Sequence, residues 1–315
     1  MLPQIALPDL FSELVALLVV SAAAGAAAIR LRQPVLVGFI IAGIIVGPSG
    51  LNWVRAADQI HVMAEMGLTL LLFVVGLKLD PRLIRSMGSV ALTAGGWQVV
   101  LTALASLGLS LVLGIASPSA LYAALALTLS STIIIIKLLS DKREMDSLHG
   151  RITLGILIVQ DVVVILAMIG LSASVGGASD HPMMQVLGLL ARGAALLAGI
   201  ALMVLIVFPR VLPLLARSTE LLVLAGIVWA LLLAALAGHL GFSIEVGAFL
   251  AGVALASTEY RESMAARLIS VRDFLLLFFF VELGSSVDLK VLGAQVLPAI
   301  PLSLFVLVGK ALLVM

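Results

Sequence analysis

VGFIIAGIIVG, Val37 to Gly47, returns as VGAFLAGVALA from Val246, with Val, Gly, Ala and Gly at matching positions 209 residues apart. The segment after each copy extends the match. FVVGLKLD from Phe73 resembles FFVELGSSVD from Phe279 once two residues are inserted in the second copy. A chance coincidence of Gly and Ala in one apolar pair is the competing reading, and a second match in the same order weakens it. The chain therefore reads as two related halves, and the question is what medium they fold in.

Hydrophobic residues make up 63% of the chain and charged residues 11%, with a mean hydropathy of +1.28. These values lie far outside those of soluble domains. Crossing about 30 Å of hydrocarbon takes roughly 20 apolar residues. Such segments recur along the whole length and leave no room for a soluble domain, so the sequence predicts an all-α, polytopic transmembrane protein. The absence of cysteine excludes disulfides, thiolate metal sites and a cysteine nucleophile, and a net charge of +1 gives no reason to expect nucleic-acid binding. The start, MLPQIALPDLF, lacks the basic region of a cleaved signal peptide, so the first span is expected to be retained.

Turn and charge signals predict eleven helices: Leu10 to Ile29, Val35 to Gly47, Met63 to Leu77, Ser89 to Ile115, Ala120 to Leu139, Ile152 to Ala173, Val186 to Leu212, Leu221 to Ala237, Phe242 to Ser257, Leu268 to Leu283 and Val296 to Met315. Basic residues cluster at alternate turns: Arg30 and Arg32; Lys78, Arg82 and Arg85; Lys137, Lys142, Arg143 and Arg151; Arg210 and Arg217; Arg261, Arg267 and Arg272. The opposite side carries only Arg55, Arg192 and Lys290. The positive-inside rule then puts the N-terminus outside and the end of this chain in the cytoplasm. In that topology the second helix runs outward and the ninth inward, so the repeat is inverted: a first half over about 10–173, a linker helix over about 186–212 and a second half over about 221–315. Inverted repeats with a site near the midplane, built on interrupted helices, are typical of secondary transporters.

Polar residues inside apolar spans are the candidates for that site. Asp161, in GILIVQDVVVIL, lies about halfway along the sixth helix, roughly 15 Å from either end at about 1.5 Å per residue, too deep to reach an interface. A carboxylate there is costly, and suits the exchange of a proton for a monovalent cation. The competing reading is a structural Asp held by a hydrogen bond or by Lys310, which falls inside the last span. Gln160 supplies an amide that can ligate a cation, orient the acid or join helices. In LTLSSTIIIIKLL, Ser130, Ser131 and Thr132 either bond back to the preceding turn or mark an unwound stretch whose carbonyls face a cavity. Lys137 reads as a snorkelling residue near the cytoplasmic end. Glu245 and Glu282 fall at external helix ends, and His239 in the external loop GHLG. No paired histidines, nucleophile elbow or phosphate loop is present, which disfavours a membrane enzyme.

At these residues the chain resembles the Kef-type potassium/proton antiporters of the monovalent cation:proton antiporter family, in the sodium/hydrogen exchanger superfamily. The matching pieces are VGFIIAGIIVGPSGL from Val37, LLFVVGLKLDP from Leu71, LTLSSTIIIIKLL from Leu127, IVQD from Ile158, GAFLAGVALASTEYR from Gly247 and FFFVELGSSVDL from Phe278. The resemblance implies a homodimer with a scaffold domain at the dimer contact and a mobile core domain. It makes the fifth helix the interrupted one around Ser130, Ser131 and Thr132, gives Asp161 proton and cation binding, and makes Lys310 its charge partner. Gln-Asp at 160–161, where other members carry Asp-Asp, implies one-for-one exchange with potassium preferred over sodium, and no cofactor beyond the ions. Glu282 departs from the family, which often has a small residue there. Members have about thirteen helices, often followed by a nucleotide-binding regulatory domain. The resemblance therefore implies that a second interrupted helix and any regulatory domain lie outside this chain, which alone is expected not to exchange ions. A cation channel or sensory protein on the same scaffold, or an inactive fragment, are the alternatives.

Overall fold

The computed structural model describes residues 10–53, 57–78, 81–115, 117–128, 132–145, 147–157, 159–160, 163, 182–287 and 300–309. Every regular element among them is helical. In chain order these are α1 Leu10–Arg30, α2 Val35–Val46, α3 Ala57–Lys78, α4 Pro81–Val112, α5 Ser117–Thr128, α6 Thr132–Asp141, and α7, over 148–157 with 159 and 160. They continue as α8 Pro182–Leu202, a π turn Met203–Val207, α9 Phe208–Leu215, α10 Thr219–His239, α11 Ile244–Leu255, α12 Arg261–Ser285 and a run over 300–309 that ends in a second π turn, Phe305–Gly309. Among the described residues, five stretches are long and apolar enough to cross a membrane: Leu10–Arg30, Ala57–Lys78, Leu92–Val112, Leu187–Leu215 and Thr219–His239.

Local chemistry explains the departures from the predicted spans. The seventh predicted helix is continuous over α8 and α9 but widens between them, because Pro209 has no N–H to give to the carbonyl of Leu205 and its ring crowds that turn. Of the predicted fifth helix the structure describes α5, up to Thr128, and α6, from Thr132 on. Ser130 and Ser131 lie outside the described residues, as do Asp161 and Lys310. α12 begins at Arg261, a full two turns before the predicted start, so Arg261 and Arg267 lie within it rather than before it, and Arg272 lies well inside it. The Arg272 guanidinium is buried and donates to the Asp273 carboxylate at 2.9 and 3.1 Å. α4 and α10 end in the same left-handed cap: Gly114 (φ 77°) and Gly241 (φ 90°) let the next amide reach back to Ser110 and Ala237 at 3.0 Å.

The chain divides into two compact units, one of Met1–Val74 with Ser263–Val296, the other of Val75–Glu262 with Leu297–Met315. The repeat is visible inside each. α2 and α11 both have 12 residues, and their ends, Val35 with Ile244 and Val46 with Leu255, keep the 209-residue offset. In the first unit α2 lies against α1 so closely that a Cβ on Gly38 would come within 2.6 Å of the Ala24 carbonyl oxygen. In the second, a Cβ on Gly247 would come within 2.5 Å of the Leu233 carbonyl oxygen, again 209 residues on. The third helices continue the correspondence. A Cβ on Gly284 of α12 would overlap the Ile40 carbonyl of α2, and one on Gly76 of α3 would overlap the Phe249 carbonyl of α11. Small residues substitute here for the hydrophobic drive that lipid removes, by letting backbones touch. α3 is buried on nearly every side from Leu68 to Leu77, whereas α1 and the Leu187–Leu215 stretch expose most of their apolar surface, as lipid-facing helices do.

Candidate functional site

The site is built where α4 meets α7 in the second unit. Gly95 brings the helices together: a Cβ there would lie 3.0 Å from the Val159 side chain. One turn further along α4, Gln98 accepts a hydrogen bond from the Gln160 amide nitrogen at 2.7 Å, across 62 residues of sequence. Both side chains are buried, Gln160 at 1% exposure and Gln98 at 7%. The single bond leaves the Gln160 carbonyl oxygen, Oε1, without a partner. An unpaired buried amide oxygen costs about 1–3 kcal/mol, so it is retained where something else uses it. An amide oxygen is a hard, neutral ligand suited to a monovalent cation or a water molecule.

Of the residues singled out in the sequence, Gln160 is therefore at a buried polar contact. Thr132 begins α6. Asp161, which follows Gln160 directly, Ser130, Ser131 and Lys310 lie outside the described residues. Gln98 is the residue that sequence reasoning missed. Its signal was legible in part, as a glutamine in the otherwise apolar run AGGWQVV, but nothing one-dimensional pairs it with Gln160.

The flanking residues take ordinary roles. Lys137 pairs with Asp141 one turn on, at 2.9 Å. Glu245 lies in the first turn of α11, behind the Ser243 cap, where the helix dipole favours an acid. His239 is the last residue of α10 rather than a loop residue. Glu282, the departure from the family pattern, has a partner: its carboxylate meets His61 of α3 at 2.7 Å, and His61 also meets Glu65 at 3.3 Å. Among the described residues, no group of three His, Asp or Glu side chains could hold a metal ion.

Two matching sets of apolar helices, close-packed through glycine, with a buried polar contact in one of them, define a polytopic helical membrane protein. The family described as "Sodium/hydrogen exchanger, transmembrane" matches residues 15–315, and the chain belongs to that family. It is 32% identical over 297 residues to K(+) efflux antiporter 5 of Arabidopsis thaliana, covering 91% of this chain and 51% of that protein. It is 35% identical over 286 residues to the iron transporter MagA of Paramagnetospirillum magneticum, covering 83% and 60%. It is 35% identical over 269 residues to the glutathione-regulated potassium-efflux system protein KefC of an Enterobacter species, covering 83% and 42%. The chain spans about half the length of these curated relatives. Its fold is similar to that of the sodium proton antiporter MjNhaP1 from Methanocaldococcus jannaschii, at a TM-score of 0.58 and 17% identity, covering 96% of this chain and 76% of that one.

Proposed function

We propose that the protein exchanges a monovalent cation, potassium in preference to sodium, for a proton across the membrane by alternating access. The observation that carries this reading is the buried Gln98–Gln160 pair, with an uncommitted amide oxygen on the residue before Asp161. In this reading Asp161 holds either the proton or the cation, and Gln160 adds a neutral oxygen ligand. Ser130, Ser131 and Thr132 add oxygens from the break in the fifth span. Lys310 balances the Asp161 charge when no cation is bound. Membership of the exchanger family supports the chemistry, and the potassium-efflux relatives support the cation. No cofactor beyond the transported ions enters, and a homodimer is the expected assembly. A regulatory nucleotide-binding domain belongs to the proposal only as a partner outside this sequence.

The test is to reconstitute the full-length protein in liposomes with a pH-sensitive dye inside and to add potassium, sodium or lithium. Potassium is expected to give the largest cation-driven proton movement. Cation flux with no opposing proton movement would instead establish the channel reading. Lys310→Met is expected to lower thermal stability and to shift the pH profile of exchange, since one charge of a buried pair would be left alone. A variant matching wild type in both would remove Lys310 from the site.

Orientation is a separate part of the proposal, with the N-terminus outside. Because the chain has no native cysteine, Ser147→Cys and Ser179→Cys provide single labels. Ser147 lies in the turn between α6 and α7, where its hydroxyl bonds the Glu144 carbonyl at 2.6 Å. The thiol introduced there should react only with reagent on the cytoplasmic side, and that from Ser179→Cys only on the outside. The reverse pattern would invert the topology.

A further inference from the structure

The first turns of α3 are held differently from the rest of that helix. From Leu68 to Leu77 every side chain is buried, whereas from Ala57 to Met66 only Ile60 and Ala64 are. The end of α12 is fixed by backbone contact with α2. A Cβ on Gly43 would overlap the Val281 carbonyl, one on Gly284 would overlap the Ile40 carbonyl, and the Ser49 hydroxyl donates to the Val287 carbonyl at 2.6 Å. Nothing in those contacts titrates. Between α3 and α12, by contrast, there is a tie that does. His61 Nδ1 lies 2.7 Å from the Glu282 carboxylate of α12, and Nε2 lies 3.3 Å from the Glu65 carboxylate one turn along α3. Asp58, also on α3, is the third charged group that faces the ring among the described residues. Neither α2 nor the turn over 47–53 carries a titratable side chain.

An ionised carboxylate only accepts hydrogen bonds, and a neutral imidazole has a single N–H to give. Two ring nitrogens that each face a carboxylate are therefore both satisfied only in the imidazolium, which donates from both. We propose that His61 is a pH-operated clip: protonated, it fastens the first turns of α3 to the end of α12 through Glu282, and deprotonated, it lets those turns open. When one ring nitrogen gives its proton to water, its lone pair faces a carboxylate oxygen. The other nitrogen keeps only a neutral donor, which makes a bond roughly half as strong as a charged one. Asp58, Glu65 and Glu282 then repel one another with no imidazolium between them. The proton can come and go, because the His61 side chain is 57% exposed. Histidine is the side chain whose charge ordinarily changes between about pH 5 and 8. The tie is thus complete at acid pH and lost as the pH rises through the titration of His61. The proposed orientation puts this end of α3 outside, so the clip reads external pH. That side rests on the orientation; the clip itself does not.

The test is amide hydrogen–deuterium exchange of the full-length protein in lipid nanodiscs, where both faces meet one buffer. Rates are compared at about pH 5.5 and about pH 8.5, on either side of the histidine range, after correction for the intrinsic pH dependence of amide chemistry. A half-exposed ion pair moves a local opening equilibrium by a few-fold, so the amides of residues 59–66 should open about threefold more at the higher pH. Those of Leu68 to Leu77 should not respond. His61→Gln should open at both pH values as far as the wild type does at the higher one. His61→Lys, which keeps its charge at both, should stay protected at both, a rescue that a merely space-filling histidine would not show. Glu282→Gln should remove most of the pH response. Equal protection of the wild type at the two pH values would overturn the clip, as would a His61→Gln protein that kept the wild-type response. A full response in Glu282→Gln would confine His61 to Glu65 on its own helix and overturn the tie to α12.

Discussion

In the full-length protein, Asp161→Asn is expected to reduce cation-driven proton movement to the leak of empty liposomes while leaving the protein folded. The substitution preserves volume and one carbonyl oxygen but removes the group that can lose a proton. In the proposed cycle a single carboxylate alternates between proton and cation, so an amide can neither release the one nor neutralise the other. Gln160 cannot replace it, because amides do not titrate, and Gln98 already engages its nitrogen at 2.7 Å. Folding is expected to survive because an asparagine in an apolar span is cheaper than an aspartate. The measurements are dye response after a potassium pulse and thermal unfolding of the same preparation. A well-folded Asp161→Asn protein that exchanged at the wild-type rate would remove Asp161 as the carrier.

The second large effect is structural and tests the repeat directly. Gly284→Ala puts a methyl group into the Ile40 carbonyl, and Gly76→Ala puts one into the Phe249 carbonyl, at matching places in the two halves. The obstacle in each case is backbone, which cannot rotate aside like a flexible side chain, so the helices must separate. Overpacking of this kind costs about 1–3 kcal/mol, with the upper end expected where the opposing atom is a carbonyl. Gly199→Ala in α8 and Gly108→Ala in α4 are the controls, since a Cβ at either meets nothing within 4 Å. There the substitution should be neutral, or stabilise by about 0.4–1 kcal/mol through the lower entropy of the unfolded chain. Thermal unfolding in one detergent would rank the four. If Gly284→Ala and Gly76→Ala unfolded with the controls, the close helix contacts would not be holding the halves together.

Several features were legible in the amino-acid order because their signals are local. Hydropathy over about 20 residues marks a span wherever its neighbours pack, since lipid imposes the same condition on each segment. The echo between Val37 and Val246 located α2 and α11 so closely that their ends keep the same offset in three dimensions.

The tertiary structure alone decided which polar groups meet. Gln98 with Gln160, and His61 with Glu282 across 221 residues, are pairings that no period in the sequence announces. Each depends on how closely two backbones approach and on the rotation of each helix about its axis. Gly95 sets that approach for α4 and α7, and Gly43 with Gly284 sets it for α2 and α12. A sequence lists its glycines without saying which backbone each one admits. The four polar residues Gln98, Thr102, Ser106 and Ser110 of α4 show the division most clearly: their four-residue spacing could be read from the order of residues, but their burial, and the unpartnered hydroxyls of the last three, follow only from packing. Helix periodicity is fixed by bonds within a segment, whereas the identity of the neighbour is fixed by contacts among segments far apart in the chain.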